Sequence, residues 1–362
     1  MTAATQARPK PQGRYRSGHC GIGRHEQCRA VYAGTDCGCP CHLPEPAGPS
    51  AEAPAPVRTT GAGALTGLPI EPLEPGSEPW LRVMSASKVA AMLGLSPCES
   101  RFSLWHRMAG LIPAEPESDV TARGHYLEPG ICAWLADQHP DWQILPGGCW
   151  QHAEDARFTA APDRRAHIDG ETRGVEVKTA ADGDEWGQPG TDEIPVGYRA
   201  QVMWQMDVLG TRVTHVAVLG AFLSFAEYVV HYDATEAAFL RDEAAAFLAS
   251  LPNGAAPERP DIDSHGATYQ AVRALHPDIE PVDVEITPEV AEPYCRARHA
   301  LQSAESAEAL ARSLLADQLG NARRARYAGH TIATRQVRGG GTPYVVAGRH
   351  LPTFDLDQES TP

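Results

Sequence analysis

Lysine is nearly missing from this 362-residue chain. Of its 31 basic residues only Lys10, Lys88 and Lys178 are lysines, and the other 28 are arginines. A composition so skewed puts arginine almost wherever a generic positive charge suffices, so each surviving lysine asks for a reason. Also lacking is any apolar run of about 18 residues, which excludes a membrane-spanning helix. The first residues, MTAATQARPKPQGRYR, hold charges but no apolar stretch of the kind a secretory signal needs. The chain is therefore expected to be soluble and cytoplasmic. Positive charge is in deficit overall, with a net charge of −15. That excludes a protein that coats a polyanion through bulk electrostatics, but not an enzyme whose phosphate contacts are a few local arginines.

What is present divides the chain unevenly. Hydrophobic residues make up 42%, enough for a core, whereas 31 prolines and 33 glycines imply sizeable irregular stretches. Residues 1–16 are expected to be disordered. Residues 17–43 hold five of the nine cysteines and read as a small Cys/His module. Residues 44–79 are a Pro/Ala/Gly linker without periodicity. Residues 80–251 have a globular pattern, 252–284 form a second linker, 285–351 a helix and hairpin, and 352–362 a polar tail. A cysteine cluster outside an oxidising compartment suggests a metal rather than disulfides. Zinc favours four Cys/His ligands, for which Cys20, Cys28, Cys37 and Cys41 are the best set, with Cys39 or His42 as substitutes. The scattered Cys98, Cys132, Cys149 and Cys295 are small hydrophobes.

In the globular part, SASKVAAMLGL and RFSLWHRMAGL read as helices, the first capped by Ser85 or Ser87. A helical stretch around 121–137 carries Glu128 before Pro129. Strand-like runs follow: CWQHA, FTAAPD, RAHID and GVEVKTA. Then come a helix, IPVGYRAQVMWQMDVLG, two strands and a further helix. Helices flanking a small mixed sheet define an α/β domain.

The chemistry-bearing group is Glu128, then Pro162-Asp163, then Glu176-Val177-Lys178, then Gln201 and Gln205. Alternation along a strand puts Glu176 and Lys178 on one face, where Asp163 can join them if the strands are adjacent. Two carboxylates in one site repel unless a cation lies between them, and oxygen donors of this kind suit Mg²⁺ or Mn²⁺. A lysine, unlike an arginine, is a compact charge whose pKa moves readily, suited to orienting or deprotonating an attacking water. Against this, an isolated E-x-K on a strand is often only a solvated face with a weak charge pair. Tyr198, Gln201 and Gln205 are spaced to share one helical face, and Gln205 could equally be a solvent-facing residue.

PD…EVK, with 12 residues between Asp163 and Glu176, resembles the PD-(D/E)XK nuclease signature. The ordered stretches SASKVAAMLGLSPCESRFSLWHRMAGL, RGHYLEPG, TAAPD, VEVKTA and IPVGYRAQVMWQMDVLG resemble the YqaJ-type viral recombinases, relatives of lambda exonuclease. The resemblance implies a restriction-endonuclease-like core with a central mixed sheet. It also implies a Mg²⁺-dependent exonuclease that resects linear double-stranded DNA, 5′ to 3′, for a single-strand annealing protein. Asp163 and Glu176 would bind the metal with the Val177 carbonyl. Lys178 would act on the attacking water, Glu128 would complete the acidic site, and Gln201 would match the family's active-site glutamine. Ser87 falls where the family has a serine near the 5′-phosphate, although Trp80 stands where lambda exonuclease has an arginine. Arg101, Tyr198 and Gln205 are further candidate DNA contacts. The family also implies a ring-shaped homo-oligomer, and the host cytoplasm if the chain is phage-encoded.

From Asn321 to His350 there are six arginines, Arg323, Arg324 and Arg326 among them, and no acid. In an acidic chain this patch is a candidate DNA contact, with a charged solvated face as the plain alternative. Two other functions share these features: a RecB- or Cas4-like nuclease with another DNA substrate, and a catalytically silent DNA-binding adaptor.

Overall fold

The computed structural model describes residues 65–114, 118–181, 183 and 185–354, together with the backbone of two short paired strands, β1 (Val31–Tyr32) and β2 (Thr35–Asp36). The expected zinc ligands Cys20, Cys28, Cys37 and Cys41 lie outside the described residues, as do the tail from 355 and the expected disordered residues 1–16. The chain divides into two compact units between Leu275 and His276.

The first unit opens with β3 (Leu68–Ile70), helix α1 (Glu78–Leu81), β4 (Met84–Ser85), α2 (Ala86–Met92) and α3 (Arg101–Met108). There follow α4 (Asp119–Gln138), β5 (Gln143–Pro146), β6 (Cys149–Gln151), β7 (Phe158–Ala160), β8 (Arg164–Ile168) and β9 (Glu171–Thr179). It closes with α5 (Val196–Leu209), β10 (Val213–Leu219), β11 (Phe225–His231), α6 (Ala234–Ser250) and α7 (Gly266–Leu275). The five-stranded sheet has the order β11-β10-β9-β8-β5, parallel between β9 and β10 and antiparallel elsewhere. The parallel pair needs a crossover, which α5 supplies. A smaller sheet has the order β3-β6-β7-β4, parallel between β4 and β7 and antiparallel elsewhere.

Alternation on β9 sorts its side chains to two sides. Val175 and Val177 pack with Ile131 and Leu135 of α4 and with Ala166, Ile168 and Ala217. On the other side the larger core gathers Met203 and Met206 of α5, Val89 and Met92 of α2, Phe247 of α6, and Val216 and Val218 of β10. β8 and β9 turn on Asp169 and Gly170, both at positive φ (52° and 85°). That is the two-residue turn whose twist matches antiparallel strands.

Lys88 of α2 is buried within this core, 1% exposed. Its ammonium donates to the carbonyl oxygens of Trp80 and of Val83, the latter at 2.7 Å, and lies 3.6 Å from the centre of the Trp80 ring. Burial pulls its pKa down to about 7. Trp80 thus anchors a lysine that ties the α1 turn to α2.

Three boundary expectations change. The linker expected over 44–79 ends before Leu68, because Leu68–Ile70 adds an edge strand to β6 and the amides of Thr66 and Gly67 donate to the Leu209 carbonyl at the end of α5. The linker expected over 252–284 contains α7, whose Ala271, Val272 and Leu275 pack on Phe102 and Ile112. The expected C-terminal hairpin is a three-stranded sheet. In the second unit α8 (Pro288–Leu319) precedes β12 (Arg324–Tyr327), β13 (His330–Gln336) and β14 (Tyr344–Ala347), paired in that order. Among the described residues no helix is long and apolar enough to cross a membrane.

The packing of α7 is testable with Ala271→Asp. A linker residue would tolerate the change, but a carboxylate buried without a partner against Phe102 costs at least about 3 kcal/mol. Urea denaturation should show a loss of that size, and an unchanged midpoint would return 252–284 to a linker.

Candidate active site

The pairing of β8 with β9 ends at Arg164 opposite Val175. Beyond that point the antiparallel partner has run out, and Asp163, the residue before β8, takes over. Its Oδ2 accepts the Val177 amide at 2.7 Å. The 12 residues separating Asp163 from Glu176 are thereby accounted for as β8, its two-residue turn and the first part of β9. The two carboxylates arrive in one place from strands joined by the tightest available connection.

Gly147 makes room for this arrangement. A Cβ there would stand 1.6 Å from the Pro162 carbonyl oxygen, so any side chain would displace the Pro162-Asp163 segment. The sequence reading missed this residue. Its only signal is the Gly147-Gly148 pair before β6, which by itself reads as an ordinary turn.

Glu176 is 2% exposed and would be costly to bury without partners. Three donors meet it. Lys178 Nζ donates to Oε1 at 2.5 Å, Gln201 Nε2 to Oε1 at 2.6 Å and Gln205 Nε2 to Oε2 at 2.9 Å. Gln201 and Gln205 are one helical turn apart on α5, so the crossover helix lays both amides along the carboxylate. The Lys178 ammonium also lies 5.0 Å from the centre of the Tyr198 ring, one turn earlier on the same face. The predicted face of Tyr198, Gln201 and Gln205 is therefore real. Its role differs from the expected one for Gln205, which is buried on Glu176 rather than exposed to DNA or solvent, with its Oε1 left without a partner.

Asp163 is pushed up to about 7 by its burial and by the Glu176 charge, with Lys178 and the Val177 amide pulling the other way. Burial alone would pull Lys178 down, but the charges of Glu176 and Asp163 outweigh it and hold the ammonium above its ordinary value. Without a bound cation, its two acidic neighbours thus outweigh the effect of burial on this lysine.

Glu128 reaches the group through an intermediary. Arg164 donates to Glu128 Oε1 at 2.8 Å and to the Asp163 carbonyl at 2.5 Å, so it ties α4 to the start of β8. Nothing in the sequence marked Arg164. Ser87 sits in the first turn of α2 with its Oγ 3.1 Å from that of Ser85, and the cap position belongs to Ser85. Ser87, Tyr198 and Gln201 line one cleft of about 720 Å³ with Trp186 and Thr179. Arg101 is not in it. Its guanidinium donates to the Met92 carbonyl at 2.7 Å, pairs with Glu243 and lies over the Phe247 ring, which ties α2 to α6 and corrects its expected contact with phosphate.

A divalent cation fits the donor set. Two neighbouring carboxylates, one driven up to about 7 by burial and by the other's charge, form a site that a cation would relieve. The two carboxylates offer hard oxygens only. Among the described residues no three His, Cys, Asp or Glu side chains group closely enough to hold a metal by themselves.

The fold and cleft define an α/β domain whose acidic group stands where a mixed sheet loses a strand partner. Residues 80–212 match the model of the YqaJ-like viral recombinase domain. Among solved structures, the alkaline exonuclease LHK-Exo from Laribacter hongkongensis is similar at 20% identity. The likeness covers 47% of this chain and 88% of that one, with a TM-score of 0.37. A phage-related exonuclease from Haemophilus somnus 129PT is similar at 13% identity over 46% of this chain and 92% of that one, with a TM-score of 0.36. No curated protein matches the chain.

The raised Asp163 carboxyl makes a prediction about pH. Between about pH 4 and 7 the folded protein holds a proton that the unfolded chain releases, so this group's contribution to stability falls as pH rises through that window. Without metal, Asp163→Asn should therefore be more stable than the parent at pH 8, by up to about 4 kcal/mol, and should converge with it near pH 4. Thermal unfolding in EDTA at the two pH values checks this; a variant no more stable at pH 8 would contradict it.

Proposed function

We propose that the first unit is a divalent-metal-dependent deoxyribonuclease that digests one strand of linear duplex DNA from its end, in the 5′ to 3′ direction. The convergence of Asp163, Glu176 and Lys178 on one buried group, with Gln201 and Gln205 behind it, carries this reading. The match to the YqaJ-like domain supports it. The exposed strand would pass to a single-strand annealing protein, and the chain would work as a homo-oligomer. A catalytically silent adaptor would have no use for a carboxylate buried at such cost.

Asp163, Glu176 and the Val177 carbonyl would hold Mg²⁺ or Mn²⁺. The bound ion would supply positive charge to a phosphoryl oxygen and lower the pKa of a water. The remaining work falls to the chain. Gln201 and Gln205 fix the Glu176 carboxylate in one orientation, so that it need not reorganise as the reaction proceeds. Lys178, kept cationic between two acids, presents Nζ to an attacking water or to the developing phosphoryl charge. The ring of Tyr198 limits where that ammonium can go. Arg164 holds Glu128 at the margin and offsets its charge. Ser87, on the cleft wall at the start of α2, offers a hydroxyl to the terminal phosphate of the strand.

Digestion of linear duplexes labelled at one 5′ or one 3′ end tests the proposal. Closed circles serve as control, at Mg²⁺ concentrations from zero upwards. Nucleotide release from the 5′ end of linear DNA alone is expected. Lys178→Ala should lower the rate about 10²- to 10⁴-fold, and Lys178→Arg should not restore it, because a planar guanidinium cannot take the place of a compact ammonium between two carboxylates. Cutting of circles, or no metal-dependent release, would overturn the reading.

A further inference from the structure

The three-stranded sheet of the second unit has two unlike faces. Ala325, Ala333 and Ala347 stand opposite one another across the three strands. Ala333 is buried, 1% exposed, and Leu315 and Leu319 at the end of α8 line a cavity together with Ala325. The unit's own helix covers the middle of this face at Ala333 and leaves Ala347 at its edge exposed. The next row across the strands is Arg324, Thr334 and Val346, and Gln336 stands opposite Tyr344 one step further along the same face. None of these five is buried, and Tyr344 is 46% exposed.

The arginines around the sheet divide by what they touch. Arg335 donates to the Gly320 carbonyl and caps the end of α8, and Arg326 donates to the Gly329 carbonyl in the turn between β12 and β13. Arg326, expected to contact DNA, thus has one guanidinium nitrogen engaged in a turn, and a bulge before it breaks the alternation that would place it beside Arg324. Arg323, Arg324, Arg338 and Arg349 are exposed. From Asn321 to His350 there is no acid, in a chain whose net charge is −15. A segment that concentrates the positive charge of an acidic protein on an open sheet is complementary to a polyanion.

We infer that the open face of this sheet binds single-stranded DNA, with bases stacking on Tyr344 and phosphates paired by Arg324 and the free arginines around it. The strandedness follows from the tyrosine. On a duplex the base faces are hidden in the stack and an exposed ring has no partner, whereas a single strand presents a π-face at every nucleotide. The choice of DNA over another polyanion rests on the nuclease reading above; the preference for a single strand does not. A nuclease that removes one strand leaves the other exposed, and this face gives that strand somewhere to bind.

Fluorescence anisotropy with the full chain in EDTA tests the inference, using labelled oligo(dT) and a duplex of equal length. Tyr344→Ala is expected to weaken oligo(dT) binding roughly five- to a hundred-fold and duplex binding less than two-fold. Tyr344→Phe, which keeps the ring, is expected to retain the affinity. Arg324→Glu should lower the salt dependence of oligo(dT) binding by about 0.7 per lost phosphate contact. Unchanged affinity in both Tyr344→Ala and Arg324→Glu would overturn the proposal, as would equal losses on single strand and duplex. Tighter binding of RNA or heparin than of oligo(dT) would overturn the assignment to DNA. Because the assay needs no turnover, single-strand binding without any metal-dependent digestion would fail the nuclease reading alone, and digestion without single-strand binding would fail this one alone.

Discussion

The architecture around the site depends on one buried carboxylate. Glu176 is enclosed by the sheet on one side and α5 on the other, and only its three hydrogen-bond donors make that burial tolerable. Removing one partner from a buried ionic group typically costs 3–5 kcal/mol, so the register of α5 against β9 is tightly determined. That register in turn sets the crossover from β9 to β10, and with it the parallel pairing at the middle of the sheet. Asp163 is fixed independently by the Val177 amide. The two acids are therefore brought together by backbone geometry and held there against their own repulsion, an arrangement that favours a bound cation over an empty site.

The scarcity of lysine acquires a physical meaning here. Of the two lysines in the described residues Lys88 is buried and Lys178 half-buried, and each makes short contacts within a small enclosure. Lys88 gathers two carbonyls and an indole face, and Lys178 lies between two acids and a phenol ring. A guanidinium is wider, planar and rigid in its fork of donors, and fits neither place. Their environments move them in opposite directions: burial among neutral groups lowers Lys88, whereas acidic neighbours raise Lys178. One lysine serves the fold and the other the site.

Much of this was legible in the sequence. Alternation put Glu176 and Lys178 on one face, helical spacing put Gln201 and Gln205 on one side of a helix, and the strand-like runs between 149 and 179 let Asp163 join the acids only if the strands paired. The spacing of Asp163 and Glu176 was readable as a pattern, but its cause, a hairpin turning on Asp169-Gly170, shows only in the backbone. Contacts between residues far apart in sequence were not legible. Arg164 looks like any surface arginine until it is seen holding Glu128, and Arg101 looks like a phosphate contact until Met92 and Glu243 are seen to occupy it. Gly147 shows its importance only through its distance to Pro162. The Pro-rich composition around α7 and ahead of β3 concealed short apolar segments whose partners lie elsewhere in the chain.

The central claim is that Asp163 and Glu176 form a cation site preset by the fold. The most direct measurement is a titration of the metal-free protein with Mn²⁺ at pH 8, followed by electron paramagnetic resonance of the free ion, alongside Glu176→Gln and Gln205→Leu. The account predicts saturable binding by the parent protein, its loss in Glu176→Gln, and weakened binding in Gln205→Leu, which touches the carboxylate but supplies no ligand. Undiminished Mn²⁺ binding by Glu176→Gln, or none by the parent protein, would contradict it.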